Sequence, residues 1–330
     1  MSFWKYIAAT SIALFALAAR QSIAETPVTL TIGEQNYFNI QASMEASGVL
    51  NDAPYKIDWK HFQAAAPIAE SLNSNALDIG FLGDSAMLTL AARGAPVKIV
   101  AVSRQNLDGV AILVPQNSSV KKIADLKGKT VAIWRGAWSQ QLILRALEHE
   151  GLPADSVKYS FLMPIDATNA FANGAVDAVA LWEPFVSTLE LKQGARPIAT
   201  AQGLMPALSF VAATDGAASG KRAAIDDFLR RVVAARKWVD AHPREYAELW
   251  AKRGNLDVDV AYRWLSSAHQ AIGPVDDAAA KDAQDTSDFL AKEGVIPARF
   301  DTAKILDRSY SDAFAAGATK VAQGAEKAAR

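Results

Sequence analysis

The chain has no cysteine among its 330 residues. That excludes disulfides, thiolate metal sites, a cysteine nucleophile and a lipid-modified N-terminal cysteine. Histidine is scarce as well. His61, His149, His242 and His269 are scattered, none pairs with another at the spacing of a metal motif, and His242 before Pro243 reads as a helix end. Neither a metal nor a cofactor is therefore expected. There is no excess of charge of either sign. The 34 basic and 35 acidic residues leave a net charge of -1, which gives nucleic acid or an anionic membrane nothing to be drawn by. A Gly-x-Ser-x-Gly elbow is missing too, so no local signature of a serine nucleophile is present.

Long apolar runs are also wanting. Ile7 to Ala19 is the one candidate, and its thirteen uncharged residues are too few to cross a bilayer. The run follows the single charge of Lys5 and precedes Ser22-Ile23-Ala24, a small-x-small cleavage pattern. Residues 1–24 thus read as a secretory signal cleaved near Ala24, with the mature chain exported and not lipid-anchored. An exported chain without disulfides needs a large core. At 51% hydrophobic residues this one can build it, and its length exceeds what a single core usually serves, so two lobes are expected.

Strands and short helices alternate along the first half. Val28 to Gly33, Tyr55 to Lys60, Leu77 to Leu82 and Val97 to Val102 read as strands, with helices at Ile40 to Gly48, Pro67 to Leu72 and Ala86 to Arg93. After Val110 to Val114, a turn-rich break at Pro115-Gln116-Asn117-Ser118 suits a crossing between lobes. A second unit follows, with strands at Thr130 to Trp134, Val157 to Leu162 and Val176 to Leu181 and helices at Ser139 to Glu148 and Asp166 to Phe171. Beyond Lys221 only helices remain: Ala224 to Val239, Arg244 to Lys252, Val258 to Ser267 and Ala278 to Glu293. This pattern predicts an α/β protein of two lobes, each a mixed, mainly parallel sheet flanked by helices. Lobe 1 is expected to be discontinuous, at 25–114 and 212–330, with the C-terminal helices packed on it, and lobe 2 at 115–211. A ligand cleft would lie between them, the lobes closing about strands that cross near residues 115 and 210.

The densest local signal is Gly83-Asp84-Ser85, where an apolar strand turns into a helix and free N–H groups gather beside a carboxylate and a hydroxyl. A loose echo of it is the strand Val176 to Ala180 leading to Trp182-Glu183-Pro184. The two loops are placed to face each other across one cleft.

Several motifs in order carry a resemblance. They are Asp78 to Gly94, Ile112 to Ser118, Ala124-Asp125-Leu126-Lys127-Gly128-Lys129, Leu142 to Leu147 with Gly151-Leu152, and Gly174-Ala175-Val176-Asp177-Ala178 with Trp182-Glu183-Pro184. Over about residues 28 to 215 the chain resembles the periplasmic aliphatic-sulfonate, taurine and nitrate binding proteins of ABC importers, and the alkanesulfonate receptors most. The resemblance implies a type II periplasmic-binding fold and a soluble, monomeric receptor in the periplasm. Such a receptor captures a small organic sulfonate and delivers it to the transmembrane subunits of an ABC permease. Taurine, nitrate or a heteroaromatic ligand like a thiamine precursor are the other ligands it leaves open. Desulfinases share the fold, but their nucleophile is a cysteine, which this chain lacks.

A sulfonate is a permanent monoanion with three dispersed oxygens, so several directed donors suit it better than one cation. The residues that match are Gln35, Asn36, Asp84, Ser85, Arg135, Gly136, Trp138, Ser139, Gln140, Trp182 and Glu183. Ser85, Ser139 and the N–H groups beside them, with Gln35, Asn36 or Gln140, would supply donors, and Arg135 a charge-assisted bond. Trp138 and Trp182 would border the organic tail. Where the alkanesulfonate receptors have a Gly-Ser-Ser-Ser run, this chain has Gly136-Ala137-Trp138-Ser139, which replaces two hydroxyls and raises an aromatic wall. Each residue has a plainer role open to it as well: helix caps for Asp84, Ser85 and Ser139, interlobe core for Trp182, and solvent for Arg135. An unpaired carboxylate repels an anion, so Asp84 is expected to cap or to bind an amine.

Overall fold

The computed structural model describes residues 27–35, 40–268 and 271–315. The expected signal segment, Asn36 and His269 lie outside the described residues. In the first lobe, β1 (Thr29–Gln35), α1 (Ile40–Ala46), β2 (Lys56–Phe62), α2 (Ala65–Asn73), β3 (Ile79–Gly83), α3 (Asp84–Ala91) and β4 (Val97–Arg104) follow one another. β1 and β3 are nearly all buried because helices cover both faces of the sheet, which is why β3 reads as an apolar run. α2 places Ile68 and Leu72, four residues apart, against that sheet, with Ala65 and Ala69 partly buried at the edge of the same core. Gly94 follows α3 at φ +78°, a left-handed turn that only glycine enters without strain.

The second lobe holds β5 (Val110–Val114), β6 (Thr130–Ile133), α4 (Trp138–His149), β7 (Lys158–Phe161), α5 (Pro164–Ala172), β8 (Ala178–Trp182), α6 (Phe185–Gln193) and β9 (Arg196–Thr200). The chain then returns through β10 (Leu208–Thr214), α7 (Asp215–Gly220), α8 (Arg222–Ala241), α9 (Pro243–Gly254), α10 (Val258–Ala268), β11 (Ala271–Gly273) and α11 (Asp277–Lys292). The sheet orders are β11-β4-β10-β3-β1-β2 and β7-β6-β8-β5-β9. Each sheet carries a parallel core and one strand inserted antiparallel by the crossing chain: β10 against β3 and β4, and β5 against β8 and β9.

These pairings move the lobe boundaries. The sequence puts the crossings near residues 115 and 210 and leaves residues 110–114 in lobe 1. In the structure β5 belongs to the second sheet, so the first crossing is residues 105–109, where Asn106 accepts from the Asp108 N–H. The return crossing is residues 201–207, and β10 is wholly within the first sheet. A buried apolar run such as Val110–Val114 identifies a strand but carries no information about which sheet it joins. The C-terminal helices also depart from expectation. α8 packs on α1 and α11 on α3 in lobe 1, whereas α10 lies against α6 of lobe 2, with Arg263 paired to Glu190 and Lys192 to Asp257.

The seating of α2 depends on Gly80. A Cβ there would meet Ile68 Cγ2 and Leu72 Cδ1, each at 2.8 Å. Gly80→Ala is expected to lift α2 off the sheet and cost about 1–3 kcal/mol. A thermal melt that matched the unaltered chain would show that the helix can absorb the methyl group.

Candidate ligand-binding cleft

The C-terminal ends of the parallel strands converge between the lobes, the usual seat of ligands in open α/β sheets. β1 ends at Gln35, β3 at Gly83, β8 at Trp182, and β6 runs directly into Trp134, and all four residues line one cavity of about 560 Å³. Three helices begin on the same cavity: α2 after Ala64, α3 after Gly83 and α4 after Ala137. None of the three has a side-chain cap. First-turn N–H groups without an intrahelical partner, with the positive end of each helix dipole, make this rim a place for an anion. Two N-termini come from lobe 1 and one from lobe 2, so an anion held by all three bridges the lobes.

Asp84 alters the balance among the three. Its side chain is fully buried and lies outside the cavity wall. It accepts from the Ser85 N–H at 2.6 Å, from Trp138 Nε1 at 2.8 Å and from the Leu208 N–H at 3.3 Å. A first-turn donor of α3 is thereby spent inside the protein, which leaves α2 and α4 the freer helix starts on the cavity. The bond to Trp138 crosses between lobes, so Asp84 serves as a fastening. Burial pushes its pKa up to about 6, against the pull of the three donors.

Ser85 borders the cavity, and its hydroxyl donates to Gln141 Oε1 across the lobe boundary. Gln141 in turn reaches Thr286 of α11 at 3.5 Å. Trp138 is buried between the lobes and forms part of the wall; Gly83 lets it approach, since a Cβ there would lie 3.0 Å from its Nε1. Trp182 meets Trp138 edge to face at 6.5 Å and lines both the cavity and the hinge side. Arg135 and Gly136 are wall residues, with the Arg135 guanidinium 3.8 Å over the Phe161 ring.

Besides Asp84, three residues named from sequence sit away from the wall. Ser139 Oγ accepts from the Trp134 N–H at 2.9 Å, and Gln140 Oε1 accepts from the Gly136 N–H at 2.7 Å, so both hold the loop before α4. Glu183 accepts from the Ser187 N–H and hydroxyl at 3.0 and 2.7 Å, which caps α6, and it faces the hinge behind the tryptophans. Burial raises its pKa to about 7. Sequence reasoning missed the whole α2 wall. The signal available was a run of three alanines, Ala64 to Ala66, opening a helix with no capping side chain.

The sequence profile described as NMT1/THI5 like matches residues 56–246. Over 299 residues the chain is 33% identical to a protein of Escherichia coli (strain K12) provisionally named an aliphatic sulfonates-binding protein, covering 88% of this chain and 91% of that one. The chain belongs to the aliphatic sulfonate/taurine-binding family of ABC-transporter receptors. Its fold matches the periplasmic aliphatic sulphonate binding protein SsuA of Escherichia coli with a TM-score of 0.79 at 30% identity, covering 85% of this chain and 92% of that one. The alkanesulfonate-binding protein SsuA of Xanthomonas axonopodis pv. citri, solved with MOPS bound, aligns with a TM-score of 0.81 at 28% identity, over 86% and 100% of the two chains. Two open sheets joined by two crossings are thus the type II periplasmic-binding fold of this receptor family. The desulfurization enzyme DSZB shares the fold alone, at 15% identity and a TM-score of 0.63. By family the chain is a periplasmic binding protein of an ABC importer.

Proposed function

We propose that this receptor captures organic sulfonates in the periplasm and delivers them to the transmembrane subunits of an ABC permease. The observation that carries the reading is the meeting of three helix starts from both lobes on one aromatic-walled cavity, with α2 and α4 keeping their first-turn donors free of side-chain caps. N–H groups directed from several sides suit three sulfonate oxygens, while Trp134, Trp138, Trp182 and Phe161 suit an organic body. At about 560 Å³ the cavity has the size of sites that enclose drug-sized ligands, far more than nitrate needs. The sulfonate named with the Xanthomonas relative, MOPS, is likewise an anion with a bulky organic end. Capture by donors of both lobes links occupancy to closure, because the full contact set exists only when the lobes meet.

A thermal-shift screen against alkanesulfonates, taurine, nitrate, sulfate and aromatic pyrimidines tests this. Saturable stabilisation by sulfonates, on the order of 2.7 kcal/mol at a hundred times Kd, is the expected outcome. Stabilisation by nitrate or a pyrimidine with none by any sulfonate would replace the reading.

A further inference from the structure

The lobes also meet away from the cavity, along one face of α4. Trp138 at the start of this helix borders a small hinge pocket with Asn106 and Gly109. From there α4 runs away from the hinge, packed on β5 and β8 of lobe 2, and Glu148 lies about 15 Å along its axis. Gln141, Leu144, Arg145 and Glu148 follow one another at spacings of three and four residues, which puts them on one face. Each has its partner in lobe 1. Gln141 accepts from the Ser85 hydroxyl and donates to Thr286. Leu144 enters the apolar core of lobe 1 beside Phe289, as its single buried member from lobe 2 among the described residues. Arg145 donates to Asp285 Oδ2 at 2.6 Å and lies 3.9 Å over the Phe289 ring, and Glu148 pairs with Lys292. Asp285, Thr286, Phe289 and Lys292 all belong to α11, so the contacts advance along both helices together. Neither the four α4 side chains nor these α11 partners line the cavity.

We infer that this seam between α4 and α11 is a clasp that biases the receptor toward closure and so sets its affinity for whatever ligand the cleft takes. Because α4 is fixed to the sheet of lobe 2, opening draws Leu144 out of the lobe 1 core and parts Arg145 from both its ring and its carboxylate. Exposing that apolar surface opposes the step. The outermost pair, Glu148 with Lys292, is largely solvated and adds little, so Leu144 and Arg145 carry the clasp. A ligand that needs the closed form binds more weakly in proportion to the share of receptor that stands open. Loosening the seam therefore weakens every ligand by one factor, whereas a lost contact in the cleft weakens them unequally. The inference rests on closure of the lobes over a ligand and not on which ligand is held.

Small-angle X-ray scattering of the ligand-free receptor, with calorimetric titration of ethanesulfonate and MOPS, tests the clasp in the variants Leu144→Ala and Asp285→Arg. The first shortens the side chain that enters lobe 1. The second sets like charges together at Arg145, on a side chain 61% exposed where folding is not at risk. Without ligand, both variants should have a larger radius of gyration than the unaltered chain. Saturating sulfonate should bring all three to one value, a reversal that a misfolded variant does not give. Affinity for the two sulfonates should fall by the same factor, about three- to tenfold. Adding Arg145→Asp to Asp285→Arg restores opposite charges and should return most of that loss. Ligand-free radii that match the unaltered chain in both variants would overturn the clasp, as would losses that differ between the two sulfonates. If neither sulfonate binds, the sulfonate reading falls, while the ligand-free scattering still decides the clasp.

Discussion

Trp138→Ala is expected to lower folding stability by about 3–5 kcal/mol, the usual loss when a buried indole is truncated, and to weaken every ligand. The side chain does two things at once. It fills the space between lobes, 7% exposed and edge-on to Trp182, and its Nε1 donates to Asp84 across the boundary. Removing it opens the wall beside the start of α4 and leaves the buried Asp84 carboxylate with only the Ser85 and Leu208 N–H donors. Since the closed arrangement then loses its central contact, affinity should fall on the order of tenfold or more for short and long sulfonates alike, about 1.4 kcal/mol per decade. Trp138→Phe separates the roles. It keeps an aromatic wall but loses the N–H, at a cost of about 1–3 kcal/mol for the group left unpaired, and the ranking of ligands should survive. Thermal melts with calorimetry read both quantities. An alanine variant that binds as tightly as the unaltered chain would remove Trp138 from the closure.

The second large effect is on pH. Asp84 has its pKa raised on folding from 3.8 to about 6, chiefly by burial. Between those values the native chain holds more protons than the unfolded one, so stability falls as pH rises through that window and is lowest, on this account, above pH 6. The span corresponds to about 3 kcal/mol. Glu183, raised to about 7 by burial, extends the decline toward neutrality. His61 acts in the same direction: its bond to Glu34 raises its pKa, and that stabilisation fades as pH passes the raised value. Asp52 and Asp276, lowered by Arg231 and by the Ala279 N–H respectively, work the opposite way, but both are exposed enough for solvent to mute them. Melting temperature should therefore decline from pH 4 to pH 7. Asp84→Asn keeps an oxygen for the Ser85 and Trp138 donors without the charge, and it should flatten the curve between pH 4 and 6. Parallel curves for the two proteins would show that Asp84 does not titrate in that range.

Much of the site was legible because its parts are local. A strand ending in Gly83-Asp84-Ser85 and a loop carrying Arg135, Gly136 and Trp138 each announce a helix start at a strand end, and both border the cavity. Ser139 and Gln140 looked equally suitable, since a serine or glutamine at a helix start is a donor in any reading. Only the fold shows their polar atoms turned back to Trp134 and Gly136. The same holds for Glu183, whose cap on Ser187 is a contact across one helical turn and whose position behind the tryptophans is a matter of packing. The α2 wall was invisible because alanine has no chemistry of its own, and its value there is the room it leaves.

Sequence alone determined the alternation of strands and helices, the absence of thiol chemistry, and the polar turns at the strand ends, because each follows from neighbouring residues. Tertiary structure decided which sheet β5 and β10 join, that α10 leans on lobe 2, and that Asp84 fastens one lobe to the other. Pairing and burial between residues far apart in the chain depend on the whole packing. A carboxylate that looks like a ligand group at a strand end becomes a latch once an indole from 54 residues away donates to it.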